Sequence, residues 1–438
     1  MNVNIKKLIK KRHSLIPGGA HTYSKGDDQF SANAPKVMFK GKGAYVWGED
    51  NKKYLDWCMG LRSVSLGHCY PTVNKAVIKQ VGEGTNFGRP HITEFILADL
   101  LKKTLLNVDM VKFAKNGSTV TSAATKLARA YTGRKYIVLC GSHPFFSYDD
   151  WAMGTTVCDS GIPREIKELT LSFKYNDIES LENLFKKFPG EIACVIMEAV
   201  TTEPPKDNFL LKVQKIVKDS GSLLIIDEMI TGFRFSQQGA QRLYGLKPDL
   251  TTYGKGIANG YSLAVLAGRK EIMELGGLLH KKERVFLIST THGAETIGLA
   301  AAIATIKEMK LKKVQDHYWR MGKMLKIGLI SLVKKHKLEN FVDIVGFEPN
   351  LSMNFKDKDN STSFLLKTIF LQEVVKGGIL FQGYFAISYS HKQKEIIKTL
   401  KVFDIALAVY REALEESKIN RESRLLGDIV KPVFRKYN

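Results

Sequence analysis

Four branched apolar residues, Leu223 to Ile226, run straight into two acids, Asp227 and Glu228. A run that short and that apolar predicts a strand buried on both faces, as in a parallel sheet covered by helices. In open sheets of this kind ligands collect at the carboxyl ends of the strands. Asp227 is therefore a carboxylate standing where a ligand would sit. Further on, after the turn-like Lys247-Pro248-Asp249, Lys255 stands between Gly254 and Gly256. Flanking glycines give the lysine little cover and let another molecule come close to the backbone.

Each residue also has a plainer reading. An Asp at a strand end is often a cap or a surface acid, and a lone Gly-Lys-Gly is usually a surface loop. It is not a P-loop, because Asp249 occupies the place of the first glycine and Gly256 follows the lysine where Ser or Thr is needed. Taken together, an acid able to pair with a pyridinium nitrogen and a lysine able to form a Schiff base are the minimal equipment of pyridoxal-phosphate chemistry.

A chain of 438 residues can bury a large core and predicts one big domain with a smaller companion. No apolar run approaches the roughly 20 residues of a membrane span. The N-terminus lacks the apolar core and cleavage site of a secretory signal. Five cysteines, odd in number and with no Cys-x-x-Cys pair, suit a reducing cytoplasm and point to neither a disulfide framework nor a metal site. The net charge of +22 comes mostly from lysines scattered along the chain. Scattered lysines predict a solvated surface with some attraction for anionic substrates, not the clustered footprint of a nucleic-acid-binding or membrane-binding protein.

In chain order, residues 1–66 read as an entry segment: a loop punctuated by Pro17, Gly18 and Gly19, then a small strand meander. Residues 67–305 carry alternating strands and helices, which predict a mainly parallel, doubly wound α/β sheet. Within them, Asn116, Gly117 and Ser118 fall at a helix start, where free N–H groups and the helix dipole favour a phosphate. An ordinary N-cap would look the same. The aromatic stretch 141–154, with His143, reads either as a stacking platform or as a hydrophobic plug. Residues 306–438 alternate less regularly and predict a smaller α+β domain.

These pieces resemble the class III aminotransferases of pyridoxal-phosphate fold type I, and among them the glutamate-1-semialdehyde 2,1-aminomutase group. The resemblance runs over nearly the whole chain. Its most specific parts are DEMITGFR at 227–234 with Lys255 downstream, LARAYTGR at 127–134, the SLGH turn at 65–68 and KYND at 174–177. It implies that Lys255 forms the internal aldimine with pyridoxal 5′-phosphate and that Asp227 pairs with the pyridine nitrogen. It implies further that Met229, where the family usually has Val, packs on the ring face, and that Gly117 and Ser118 hold the phosphate. His143 falls where the family commonly has a stacking Tyr. Thr290 matches a threonine that reaches the phosphate of the neighbouring subunit of a homodimer.

The departures lie on the substrate side. HTYSK replaces the family's NSPVR, so Lys25 stands where an arginine holds the substrate carboxylate. A lysine offers a point charge and no bidentate fork. MGLR replaces the aromatic GSWG segment, bringing Leu61 and Arg62 to the expected pocket edge. Arg62 reads as a carboxylate or phosphate ligand, or as a partner for a neighbouring acid. Glu203 falls near the family's cofactor-contacting Asn. The expectation is therefore transfer of an amino group between a small-molecule donor and a small carbonyl acceptor, an aldehyde or sugar-like ketone, with glutamate-1-semialdehyde aminomutase activity as the alternative.

Overall fold

The computed structural model describes residues 4–143 and 145–438. The chain forms two compact units. The first comprises residues 1–62, 66–70 and 316–433. The second comprises 63–65, 71–315 and 434–438.

The first unit holds two small sheets. Met38–Lys42, Tyr45–Gly48 and Lys53–Asp56 form an antiparallel meander, and Ile379–Leu380 adds to it in parallel beside Lys53–Asp56. Val342–Phe347, Asn350–Phe355 and Tyr384–Ala386 form a second, antiparallel sheet. The long Gln393–Glu415 helix buries Ile396, Thr399, Phe403, Ala406, Leu407, Tyr410 and Ala413, a three-to-four-residue spacing that puts one face into the core. Phe403 meets Phe370, Phe381 and Phe385 there, with ring centroids 5.1 to 5.6 Å apart. Trp57 joins this core by donating its indole N–H to the Thr399 hydroxyl at 2.9 Å.

One turn of this unit is unusual. Met59, Gly60, Leu61 and Arg62 all have φ between 43° and 73°. A left-handed turn costs roughly 1–2 kcal/mol for each residue bearing a Cβ, and only Gly60 escapes that cost. The buried Asp56 offsets it. One of its carboxylate oxygens accepts the N–H groups of Cys58 and Met59 at 2.8 and 3.1 Å, and the other meets His68 Nε2 at 2.9 Å. Hydrogen bonds to a charged group are worth about 1.5–3 kcal/mol each, enough to hold the turn. Arg62 closes it, with its guanidinium 3.7 Å from the Tyr384 ring centroid and its Nε donating to Asn350 Oδ1 at 2.7 Å.

The second unit is built on a seven-stranded sheet. The strand order is Met110–Ala114, Ala264–Gly268, Leu250–Tyr253, Leu223–Asp227, Ile192–Met197, Tyr136–Cys140, Thr170–Phe173. Ala264–Gly268 runs antiparallel to both its neighbours, and the other pairs are parallel. Every residue of Ile192–Met197 and Leu223–Asp227 is buried, as a central strand covered on both faces requires. The Gly117–Thr132 helix covers one face with Val120, Ala123, Ala124, Leu127 and Ala128. It ends at Gly133, whose φ of 67° supplies the left-handed cap. No helix among the described residues is long and apolar enough to cross a membrane.

Candidate active site

Strand pairing in the second unit decides which side chains meet. Leu223–Asp227 and Leu250–Tyr253 run parallel with Asp227 opposite Thr252. The Thr252 hydroxyl donates to Asp227 Oδ1 at 3.0 Å, and the Met229 N–H donates to the same oxygen at 2.9 Å. Lys255 follows three residues beyond Thr252, so the chain leaving one strand delivers its amine to the acid that ends the next. Burial pushes the Asp227 carboxyl pKa up, while the Lys255 ammonium and these two donors pull it back down. Lys255 itself has φ 43°, a left-handed conformation rare for a residue with a Cβ and of the kind that gathers at functional sites.

Glu228 has a different task. It is fully buried, and its carboxylate accepts from the Thr231 hydroxyl and from the N–H groups of Ala240 and Gln241 at 2.9 and 2.7 Å. Burial lifts its pKa to about 7 against the pull of these donors. It ties the turn after Asp227 to the 239–241 segment. Gly239 has φ 90°, and a Cβ there would lie 2.1 Å from the Glu228 carboxylate, so only glycine fits.

Asp227, Met229 and Lys255 line a cavity of about 540 Å³ together with Gly117 and Ser118. Asn116 caps the helix that begins at Gly117, its side-chain oxygen accepting the Thr119 N–H at 3.0 Å. The Gly117 and Ser118 N–H groups belong to the first turn, which has no intrahelical acceptors. The Ser118 hydroxyl oxygen accepts the Tyr148 N–H at 3.1 Å, which leaves its proton to donate. Met229 packs between two glycines: a Cβ on Gly117 would meet its sulfur at 3.1 Å, and one on Gly254 at 2.5 Å.

Other predicted residues lie elsewhere. His143 is buried and is not part of the cavity wall. Phe145 and Phe146 from the same loop are. His143 Nδ1 accepts the Glu198 N–H at 3.3 Å, so the ring proton sits on Nε2, and burial holds its pKa near about 4. Thr290 lines a second cavity of the same unit, about 390 Å³, with Phe95 and Ile288. Lys25 and Arg62 belong to the first unit. Glu203 lies outside the cavity wall, paired with Lys206 and Asn176 at 3.1 and 3.0 Å.

The structure also adds residues. Lys115 lines the cavity and is held by the Glu295 carboxylate and by the Ser262 carbonyl at 3.3 Å. Its place directly before the Asn-Gly turn was the available signal. Glu198 lines the cavity too, from the end of Ile192–Met197.

Comparison with known proteins identifies the family. The family model for class III aminotransferases matches residues 28–389. The chain belongs to the class III aminotransferase family. It is 34% identical to the glutamate-1-semialdehyde 2,1-aminomutase of Thermus thermophilus, over 91% of this chain and 97% of that one. It is 30% identical to the enzyme of the same name from Aquifex aeolicus, over 94% and 99% of the two chains. The FumI protein of Sphingopyxis sp. MTA144, solved in its PLP internal aldimine form, superposes with a TM-score of 0.85 at 24% identity, over 94% of this chain and 98% of that one. The fold is therefore that of the fold type I transaminases, and the aminotransferase's cofactor is pyridoxal 5′-phosphate.

The residues present fit that cofactor. A buried carboxylate is costly without a cationic partner, and a protonated pyridine nitrogen supplies one. The Gly117 helix start suits a phosphate. The slot bounded by Met229 is kept open by glycines whose side chains would close it.

Proposed function

We propose that this class III enzyme transfers an amino group between a small-molecule donor and a small carbonyl acceptor, an aldehyde or sugar-like ketone. One observation carries the reading: Asp227, buried at a strand end, and Lys255 are both present and line one cavity, while the substrate-side segments depart from the aminomutase pattern. Lys25 replaces the arginine of that pattern, and the MGLR turn adopts a left-handed path in which Arg62 is engaged by Tyr384 and Asn350.

When bound, the cofactor supplies an electron sink for the bond being broken. Asp227 would hold the cationic ring nitrogen, and Thr252 and the Met229 N–H fix the orientation of its carboxylate. Gly117 and Ser118 would hold the cofactor's phosphate, and Met229 would border its ring. Phe145 and Phe146 are better placed than His143 for the stacking role, because they line the cavity. The Lys255 amine would hold the cofactor covalently. The same amine would serve as the base that takes the proton from the substrate carbon.

Titrating the purified holoenzyme with single amino acids, while recording its near-visible spectrum, should reveal one donor that converts the cofactor to its amine form. If none does, the transfer reading fails. The second reading, glutamate-1-semialdehyde aminomutase, is favoured by the names of the curated relatives. Conversion of that substrate to 5-aminolevulinate at saturating cofactor would establish it.

A cytoplasmic homodimer completes the proposal. Supporting it, all five cysteines are free, and Ile92, Phe95 and Ile96 lie 60%, 59% and 45% exposed on the helix that lines the Thr290 cavity. In this dimer Thr290 reaches the phosphate bound by the neighbouring subunit. Sedimentation should give twice the chain mass, and Thr290→Ala should weaken cofactor retention several-fold on dialysis. An active monomer, or unchanged retention, would refute this arrangement.

A further inference from the structure

The last residues of the chain, Phe434–Asn438, belong to the second unit. They lie against the stretch 145–159, and three different contacts hold them there. The Phe434 ring packs against the Phe145 ring, with centroids 6.3 Å apart and planes at 41°. The Cys158 thiol donates to the Arg435 carbonyl at 3.5 Å. Lys167 pairs with the Asp159 carboxylate at 2.7 Å, and Lys436 adds its charge to the same acid. The tail also closes on itself, Arg435 Nη2 donating to Asn438 Oδ1 at 3.1 Å.

The first of these contacts reaches the active-site cavity, because Phe145 lines it. The backbone on either side of Phe145 is fixed. The His143 N–H donates to the Cys140 carbonyl at 2.9 Å, and the Phe146 carbonyl accepts the Thr121 hydroxyl at 2.8 Å. The Phe146 ring, also in the wall, is 3% exposed and belongs to the core with Val120 and Trp151. The Phe145 ring is 53% exposed. A half-exposed aromatic keeps rotamer freedom that it must give up when it is ordered against a ligand. Phe434 restricts that freedom beforehand, since aromatic pairs at this separation attract beyond the area they bury. The tail therefore steadies the one ring of the wall that the core leaves loose.

We infer that Phe434–Asn438 is a strap that braces the wall of the cofactor cavity, and that Phe434 is a positioning residue acting on the cofactor through Phe145. The assignment rests on the reading that Phe145 borders bound pyridoxal phosphate. Linkage makes the effect reciprocal: whatever the strap contributes to holding the cofactor, the bound cofactor contributes to holding the strap.

The test is the rate at which the holoenzyme releases its cofactor on dilution, followed by near-visible absorbance. Phe434→Ala, and a chain ending at Val433, should each release it faster by about three- to tenfold, while keeping the parent's melting temperature. Phe434→Tyr, which keeps a ring, should restore the parent rate. A double-mutant cycle identifies the route: in a Phe145→Ala enzyme, adding Phe434→Ala should change nothing further. Trypsin, which cuts after Arg435 and Lys436, should trim the tail more slowly in the holoenzyme than in the enzyme stripped of cofactor, and Phe145→Ala should erase that difference. Unchanged release in both tail variants, or full additivity of the two substitutions, would overturn the proposal. Release at the parent rate from Phe145→Ala alone would overturn it too, since the strap would then have no ring to act through. No amino donor enters the measurement, so a failed donor titration would sink the transfer reading and leave this result standing.

Discussion

An enzyme carrying Lys255→Ala should turn over no substrate and should lose the near-visible absorbance of a covalently held cofactor. The expectation is sharper because the cavity contains a second amine. Lys115 lines the same wall, yet its ammonium is committed to the Glu295 carboxylate and the Ser262 carbonyl. Glu295 in turn accepts the Ile297 N–H at 2.9 Å and caps the Thr296–Leu311 helix. Releasing Lys115 would therefore break a half-buried ion pair with the residue that caps this helix. Lys255 has the carboxylate beside it but is carried on a strained turn, and the slot next to it is open. A band that survives in Lys255→Ala and vanishes only when Lys115 is also replaced would move the attachment point to Lys115.

Replacing Asp227 should separate binding from chemistry. Asp227→Asn keeps an oxygen to accept from Thr252 and Met229, and removes only the charge. It should still attach the cofactor, with its absorbance shifted, while the donor half-reaction slows by about two to four orders of magnitude, the range that positioned proton transfer commands. Asp227→Ala should be as slow, and less stable because two buried donors lose their acceptor, at about 1–3 kcal/mol each. Stopped-flow spectra of the half-reaction and a melting curve separate these effects. A near-normal rate in either variant would remove Asp227 from the chemistry.

How much of this was legible in the sequence depends on how local the cause is. Asp227 and Lys255 could be read because a short apolar run, an acid at its end and a glycine-flanked lysine are all contiguous features. The Gly117–Ser118 turn was readable for the same reason. Sheet order was not. Nothing in Ala264–Gly268 shows that it runs antiparallel between Met110–Ala114 and Leu250–Tyr253, since strand neighbours are chosen by contacts remote in sequence. Glu228, adjacent to Asp227, could not be assigned its bracing role because its partners lie at 240 and 241. His143 was matched by position within a motif, but the turn of its loop sends Phe145 and Phe146, not His143, to the cavity wall. The left-handed path of Met59–Arg62 was equally hidden, because one glycine in four residues gives no hint that the other three share its conformation.

That turn bears on how enzymes of this family could be re-engineered. Segments that differ between relatives invite exchange, and these four residues are an obvious cassette. Their shape is not encoded in themselves. It is imposed by Asp56 from before the turn, His68 from after it, and Asn350 and Tyr384 from strands hundreds of positions away. A graft of the tetrapeptide alone would relax to a right-handed path in its new host and point its side chains elsewhere. Donor and recipient would have to trade the whole bracket of five sites, so diversification here proceeds by coordinated sets of changes, not by single loop swaps.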